Sequence, residues 1–138
     1  DVCRVTDAEE YQACLSQFYT RGICEAVVME HLEGPCVKFY SVPGAAFFYC
    51  LPMENLGYDK FVGNTPVDVT DEKNRACDAV NRQVPTWHFP LDIYGGDAIV
   101  GPDGVVRLID LNDWPSFSSC RTEAAEAIAL MIINKIGV

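Results

Sequence analysis

Two aspartates and one asparagine stand at the ends of neighbouring apolar runs in the second half of the chain. Asp97 lies in a short apolar run, and Asp110 and Asn112 lie at the end of the next one. Strand alternation places Asp110 and Asn112 on one face, roughly 7 Å apart. The stretch 101–104, Gly-Pro-Asp-Gly, is typical of a tight turn, so the two runs should pair as an antiparallel hairpin. We therefore expect the three polar side chains to converge at the end of the hairpin away from the turn.

These three side chains offer only oxygen atoms as ligands. Such a cluster is costly unless a cation or hydrogen bonds compensate it, and oxygen ligands favour Mg²⁺ or Mn²⁺ over zinc. Asp92 is an alternative upstream ligand, but Asp97 lies at the better distance before the turn. The pattern also leaves a structural interpretation open, in which Asp110 and Asn112 merely cap the turn at 113–115 and end the strand.

The stretch 109–115, Ile-Asp-Leu-Asn-Asp-Trp-Pro, preceded by a strand aspartate and a tight turn, resembles the metal-binding hairpin of the ATP-grasp superfamily. This stretch is most similar to the corresponding stretch of inositol polyphosphate kinases of this fold. Many ligases of the superfamily have Glu at the position of Asp110. The chain departs from the usual pattern at Ser116, where many members have Gly. It also departs at Gly95, where D-alanine ligase relatives have an Arg that contacts phosphate. The resemblance implies that Asp97, Asp110 and Asn112 hold Mg²⁺ or Mn²⁺ beside ATP.

A second part of the resemblance lies upstream, where the sequence predicts a strand over 25–32, a turn at 33–35 and a strand over 36–42 that contains Lys38. In ATP-grasp proteins the first of these strands leads into the hinge that lines the adenine. The resemblance implies that Met29 packs near the base and that Glu30 and Leu32 offer backbone groups. Lys38 would point towards phosphate or substrate as the catalytic residue. The implied cofactor-binding set is Met29, Glu30, His31, Leu32 and Lys38.

Without the resemblance, each of these upstream residues has an ordinary structural explanation. The 33–35 stretch is a common turn, His31 would be a structural histidine, and a single lysine in a strand usually lies on a solvated face. The stretch 52–69 is rich in Gly, Asn, Pro and Asp, and a loop of this length is either functional or poorly ordered. We expect this loop near the nucleotide cleft, with Tyr58 and Lys60 as its contacts. The alternative is a loose loop on the surface.

Composition limits the class of protein. The chain has 138 residues, a net charge of −10 and 49% hydrophobic residues, which predicts one soluble globular domain with a real core. Its acidity argues against nucleic acid or an anionic membrane as a partner, and it contains no apolar run of about 18 residues, so the expected location is the cytoplasm. The seven cysteines form no CxxC pair, which favours reduced, apolar cysteines over a disulfide framework or a nucleophile.

The remaining elements complete an α/β (α+β) fold, an antiparallel β-sheet flanked by helices. A strand is expected at 1–5, followed by a helix that Thr6-Asp7-Ala8-Glu9 opens and Arg21-Gly22 closes. Tyr11, Leu15 and Phe18 should form its buried stripe. A further strand is expected at 45–51. Two more helices are expected, one over 70–83 and one that Thr122 caps and Gly137 closes; the latter is apolar nearly all round and should be covered on more than one side.

The resemblance covers nearly the whole chain but only about half of an ATP-grasp fold. We therefore expect residues 1–138 to be a single domain, the C-terminal portion of an ATP-grasp domain whose N-terminal part is absent, and such a piece would bind metal without turning over. The implied parent activity is a ligase, in which ATP phosphorylates a carboxylate and an amine or thiol attacks the acyl phosphate. The alternatives are a small-molecule kinase of the inositol phosphate type and a non-catalytic interaction domain that keeps the fold. The expected partners are a nucleotide and a small-molecule substrate, with no nucleic acid or membrane.

Overall fold

The computed structural model describes residues 2–53 and 71–137, and the chain divides into two compact units. The described part of the first unit is 2–32, and that of the second is 33–53 and 71–137. Most of the loop expected over 52–69, including Tyr58 and Lys60, lies outside the described residues. The described helices and strands are α1 (Ala8–Thr20), β1 (Cys36–Val42), β2 (Phe47–Pro52), α2 (Asp71–Gln83), β3 (Tyr94–Val100), β4 (Val106–Asn112) and α3 (Arg121–Ile136).

Helix α1 of the first unit begins and ends close to where the sequence predicts. Asp7 is its N-cap and accepts a hydrogen bond from the backbone N–H of Glu10 at 2.8 Å. The Glu10 carboxylate accepts in turn from the backbone N–H of Thr6 at 2.8 Å. The cap therefore lies one residue later than expected, and Glu10 bonds back to Thr6, the residue before the N-cap, rather than to the N-cap itself. Arg21 is the C-cap, and Gly22 follows with a φ of 79°.

The first unit contains no strand within residues 2–32, so the strands predicted at 1–5 and 25–32 are wrong. Val27, Val28 and Met29 of the second predicted strand are 86%, 67% and 67% exposed. An apolar run becomes a strand only when a neighbour supplies hydrogen-bond partners, and its composition does not specify that neighbour. On α1, Cys14 is buried, whereas the predicted stripe of Tyr11, Leu15 and Phe18 is only half-buried.

The second unit is built on a four-stranded antiparallel sheet with the strand order β2-β1-β3-β4. Strands β3 and β4 form the predicted hairpin, and the Gly101 N–H donates to the Val105 carbonyl at 3.0 Å across its turn. Strand β1 lies between β2 and β3, so Phe39 pairs with Cys50 on one side and with Gly96 on the other. The α+β class and the antiparallel sheet are confirmed. Strand β2 starts at Phe47 rather than at residue 45, because residues 43–45 form a short 3₁₀ turn.

Each face of the sheet is covered by a helix. Helix α2 covers one face, and the buried core there is Val37, Phe39, Ala76, Ala79, Val80, Val84, Tyr94, Ala98, Val100 and Val106. Helix α3 covers the other face, where the buried core is Tyr40, Val42, Ile93, Phe117, Cys120, Ala124, Ala127 and Met131. Alternate residues of β1 therefore serve two cores. A polar side chain on the α3 face must therefore lie where α3 does not cover the sheet, or be paired with another polar group.

Helix α3 departs from its prediction in two ways. It begins at Arg121 with the buried Cys120 as its N-cap, so Thr122 is not the cap; Gly137 does end it, with a φ of 71°. Only one face of the helix is covered within the described residues: Met131 is buried, whereas Leu130, Ile132, Ile133 and Ile136 are between 46% and 64% exposed. With 16 residues α3 is the longest described helix, and none of the described helices is long and apolar enough to cross a membrane.

Candidate functional site

A β-bulge in β4 decides where the predicted ligands point. Asp97 pairs with Asp110, but the next residue of β3, Ala98, pairs with Leu108, so Ile109 is an extra residue in β4. Strict alternation would place Asp110 and Asn112 on the same face as Leu108, which packs against the α2 core. The extra residue moves both polar side chains to the opposite face. The bulge therefore explains how an apparently apolar alternation ends in an acid and an amide.

Gly96 makes this arrangement of the hairpin feasible. A Cβ atom at Gly96 would lie 2.1 Å from the carbonyl oxygen of Asp110 and 3.0 Å from the ring of Phe39. Only a residue without a side chain lets the bulged part of β4 approach β3 so closely.

The three predicted ligands lie together at the end of the hairpin away from its turn. Asp97 and Asp110 are direct cross-strand partners, and Asn112 pairs with Gly95. The Asn112 side-chain amide donates a hydrogen bond to Oδ2 of Asp110 at 3.0 Å. Asp97 is 8% exposed, Asp110 is half-buried and Asn112 is exposed, so the cluster leads from the sheet interior to solvent.

Lys38 joins this cluster from the neighbouring strand. It is the cross-strand partner of Asp97 in the β1–β3 register, and its Nζ lies 2.7 Å from Oδ1 of Asp97. That oxygen is shielded from solvent, and its contact with Nζ is an ion pair rather than a directed hydrogen bond. The side chain of Lys38 is 26% exposed and that of Asp97 is 12% exposed. The resemblance implied that Lys38 points towards phosphate or substrate, but neither it nor the sequence pattern predicted a contact with Asp97.

The charges in the cluster shift the pKa values of two groups on β1. Burial alone would lower the pKa of Lys38, but contact with Asp97 and its negative charge outweigh burial and raise that pKa above 10.5. Burial and the Asp97 charge together raise the pKa of the Cys36 thiol to about 11, with Lys38 opposing them. At neutral pH Lys38 is therefore an ammonium ion and Cys36 is a neutral thiol.

A polar cleft of about 260 Å³ opens beside the cluster. Lys38, Tyr40 and Asn112 contribute to its walls, and the backbone at Gly96 reaches it as well. The segment 114–116 that follows β4 forms the remaining wall. Tyr40 was not predicted to belong to the site, although it lies two residues after Lys38 and therefore on the same face of β1.

Gly95 lies against two residues of the cleft wall, Tyr40 and Pro115. A Cβ at Gly95 would lie 2.8 Å from Cγ of Pro115 and 2.9 Å from Cδ1 of Tyr40. Any side chain at this position would collide with the ring of Tyr40 and with the proline that lines the cleft. The glycine is therefore required by packing in this chain.

The expected adenine-binding residues lie in the first unit, apart from Lys38. Met29, Glu30 and His31 are exposed and Leu32 is half-buried, in a stretch without regular secondary structure. The predicted strand that would have positioned them is absent. Their role as a nucleotide hinge remains a prediction.

The residues fit a hard divalent cation in type. Two carboxylates and one amide supply oxygen atoms, although Oδ1 of Asp97 is occupied by the Lys38 ammonium group in this structure. No group of three or more His, Cys, Asp and Glu side chains that could hold a metal occurs in the described part of the chain, and the predicted set contains only two carboxylates beside Asn112.

Comparison of the sequence with protein-family models gives no match, and comparison with curated proteins gives none either.

Proposed function

We propose that the second unit forms one wall of an ATP- and Mg²⁺-binding cleft of the ATP-grasp type. The observation that carries the proposal is the convergence of Asp97, Asp110 and Asn112 at one strand end, beside Lys38 and an open polar cleft. The β-bulge supports it, since it turns Asp110 and Asn112 from the α2 core face to the face on which Asp97 and Lys38 lie.

The ligand types in the cluster favour a bound cation. Lys38 forms an ion pair with Asp97, and the Asp110 carboxylate accepts a hydrogen bond from the amide of Asn112. A divalent cation held by Asp97, Asp110 and Asn112 would find oxygen ligands on all three side chains, with water and phosphate oxygens completing the shell. Mg²⁺ in that place would neutralise the phosphate oxygens and fix their positions.

Lys38 would change partner when the site is filled. In the structure its ammonium group neutralises Asp97. A cation on Asp97 would supply that compensation instead, and Lys38 could then contact a phosphate oxygen on the cleft side. The quarter of its side chain that is exposed lies at the cleft wall, so this needs only rotation about the aliphatic stem.

For the whole protein we propose a carboxylate-amine or carboxylate-thiol ligase that acts through an acyl phosphate, at work in the cytoplasm. A kinase that transfers phosphate to a hydroxyl group is the second candidate, because the sequence from Ile109 to Pro115 resembles that of inositol polyphosphate kinases most closely. The net charge of −10 argues against a polyphosphate acceptor for this chain.

Binding of Mn²⁺, followed by electron paramagnetic resonance, tests the metal site. The wild-type chain should bind Mn²⁺, and Asp110→Asn should weaken binding by about 10–100-fold, as is usual when a metal site is damaged. Asp103→Asn is the matched control, since Asp103 belongs to the same hairpin but lies in its turn and pairs with Arg107. Equal Mn²⁺ affinity in Asp110→Asn and wild type would remove the proposed ligand set.

A further inference from the structure

Two cysteines far apart in the sequence meet on the α2 side of the sheet. Cys50 lies in the edge strand β2, and Cys77 lies in α2, the helix that covers this face. Both side chains are half-buried and pack against the same core cluster. The thiol of Cys50 lies within hydrogen-bond reach of two acceptors of α2, the backbone carbonyl of Cys77 at 3.7 Å and Oδ1 of Asn81 at 3.5 Å. Cys50 therefore lies directly against the turn of α2 that carries Cys77.

This contact makes the two sulfur atoms chemically unequal. The hydrogen bond from Cys50 stabilises the thiolate of Cys77 and lowers the pKa of Cys77, although burial and the charge of Asp78 oppose the shift. The same hydrogen bond, together with burial, raises the pKa of Cys50. Cys77 therefore loses its proton first, while Cys50 stays protonated beside it. A thiolate with a second thiol in contact is the arrangement found in redox-active cysteine pairs.

We propose that Cys50 and Cys77 are a redox-active dithiol that closes into a disulfide between β2 and α2 when a low-molecular-weight disulfide is present. The Cys77 thiolate attacks one sulfur of that disulfide and expels a small thiolate, which leaves a mixed disulfide on Cys77. Cys50 then loses its proton to solvent and attacks the Cys77 sulfur, which expels the second small thiolate. The two cysteines lose two electrons, the small disulfide gains them, and two small thiols leave.

The disulfide-bonded form would affect the candidate functional site through β2. Cys50 is the cross-strand partner of Phe39, and the next residue, Leu51, is the partner of Lys38. A covalent link at Cys50 fixes this edge of the sheet to α2 beside the strand that carries Lys38. The inference itself does not depend on the function proposed above, because it rests on a contact on the opposite face of the sheet.

Other cysteines supply the comparison. Cys36 is half-buried like the pair, but the pKa of its thiol is raised to about 11, so it should react slowly. Cys3 and Cys14 form a second thiol contact in the first unit, where the hydrogen bond to Cys3 and burial raise the pKa of Cys14. The raised pKa of Cys14 makes it a poor nucleophile, so we expect Cys14 to react after Cys77.

The test is oxidation of the full chain with oxidised glutathione, followed by alkylation of the remaining thiols and peptide mapping by mass spectrometry. The expected first product is a peptide linked through Cys50 and Cys77, and its formation should raise the thermal unfolding midpoint reversibly. Cys50→Ser should stop at a glutathione adduct on Cys77, whereas Cys77→Ser should form no adduct on Cys50; Cys36→Ser should behave as wild type. A folded wild-type chain that gives no Cys50–Cys77 peptide, or adducts mainly on Cys36, would overturn the proposal.

Discussion

The ion pair between Lys38 and Asp97 should hold the centre of the sheet together more strongly than any exposed ion pair of the chain. The two atoms are 2.7 Å apart, and the Asp97 side chain is 12% exposed. At an effective dielectric constant of about 20, the Coulomb attraction at this distance is about 6 kcal/mol, most of which is offset by desolvation. Lys38→Met leaves a shielded carboxylate oxygen without a counter-charge and should lower the free energy of unfolding by about 2–4 kcal/mol.

The partner substitution should cost less. Asp97→Asn leaves the ammonium of Lys38, which is 26% exposed and can turn towards water, so we expect a loss of about 1–2 kcal/mol. The double variant Lys38→Met/Asp97→Asn carries no unpaired charge. It should therefore be more stable than the sum of the single losses predicts, with a coupling of about 1–3 kcal/mol.

Equilibrium unfolding in urea measures these three values, provided that the slope against urea concentration is unchanged. Lys135→Met is the control, because Lys135 and Asp92 also form an ion pair but are 57% and 60% exposed. Its cost should stay below about 1 kcal/mol. Single losses at Lys38 and Asp97 that add within about 0.5 kcal/mol, or a control that costs as much as Lys38→Met, would refute the reasoning.

The same ion pair predicts the pH range of its contribution. The pKa of Lys38 is raised above 10.5 in the folded chain, so protonated Lys38 favours the folded state below that pH. The stability difference between wild type and Lys38→Met should be level between pH 7 and 9, within the range where Lys38 is charged in both folded and unfolded chains. It should decrease as the pH rises past 10.5. A difference that grows with pH in that upper range would have the wrong sign.

Three further predictions concern the cleft, the turn and the core. Gly95→Ala places a Cβ within 2.9 Å of Tyr40 and Pro115, so it should lower the free energy of unfolding in urea by about 1–3 kcal/mol and weaken Mn²⁺ binding. Unchanged stability and binding would show that the strands separate easily. The hydrogen bonds from Arg107 and the backbone N–H of Val105 lower the pKa of Asp103 to about 2, which a carboxyl NMR titration should reproduce. Arg107→Ala should return this pKa towards the usual value of about 3.9. A titration midpoint of about 3.9 for Asp103 in the wild type would contradict the contact. Phe39→Ala removes a fully buried ring that stacks on Phe48 and should cost about 3–5 kcal/mol, and a calorimetric loss below about 1 kcal/mol would show that the two-sided core is misplaced.

The hairpin and its polar cluster were predictable because two independent patterns agree there. The Gly-Pro-Asp-Gly turn fixes which runs pair and brings Asp97, Asp110 and Asn112 to the same end of the hairpin. The direct pairing of Asp97 with Asp110 on one face also requires the β-bulge. The bulge at Ile109 was not predictable from the sequence. The two-residue period of a strand continues without a gap through Val106, Leu108, Asp110 and Asn112. Only the contact of Leu108 with the α2 core decides where the alternation must break.

Errors arose where the sequence specifies composition but not a partner. The run at 25–32 has the apolar content of a buried strand, yet within residues 2–32 no strand forms. The contact between Lys38 and Asp97 follows from the register of β1 against β3, which are distant in sequence and joined by no tight turn. No local pattern carries that register. The burial predicted for α3 was too high for a related reason. An apolar side chain does not specify which neighbour packs against it.

The most direct test of the central claim is isothermal titration of Mg²⁺ with a non-hydrolysable ATP analogue into the wild-type chain, beside Asp110→Ala and Asp103→Ala. The proposed cleft predicts saturable binding to the wild type, at least about tenfold weaker binding to Asp110→Ala, and unchanged binding to Asp103→Ala. Absence of binding to a folded wild-type chain, or equal binding to wild type and Asp110→Ala, would contradict a nucleotide and metal site at this end of the hairpin.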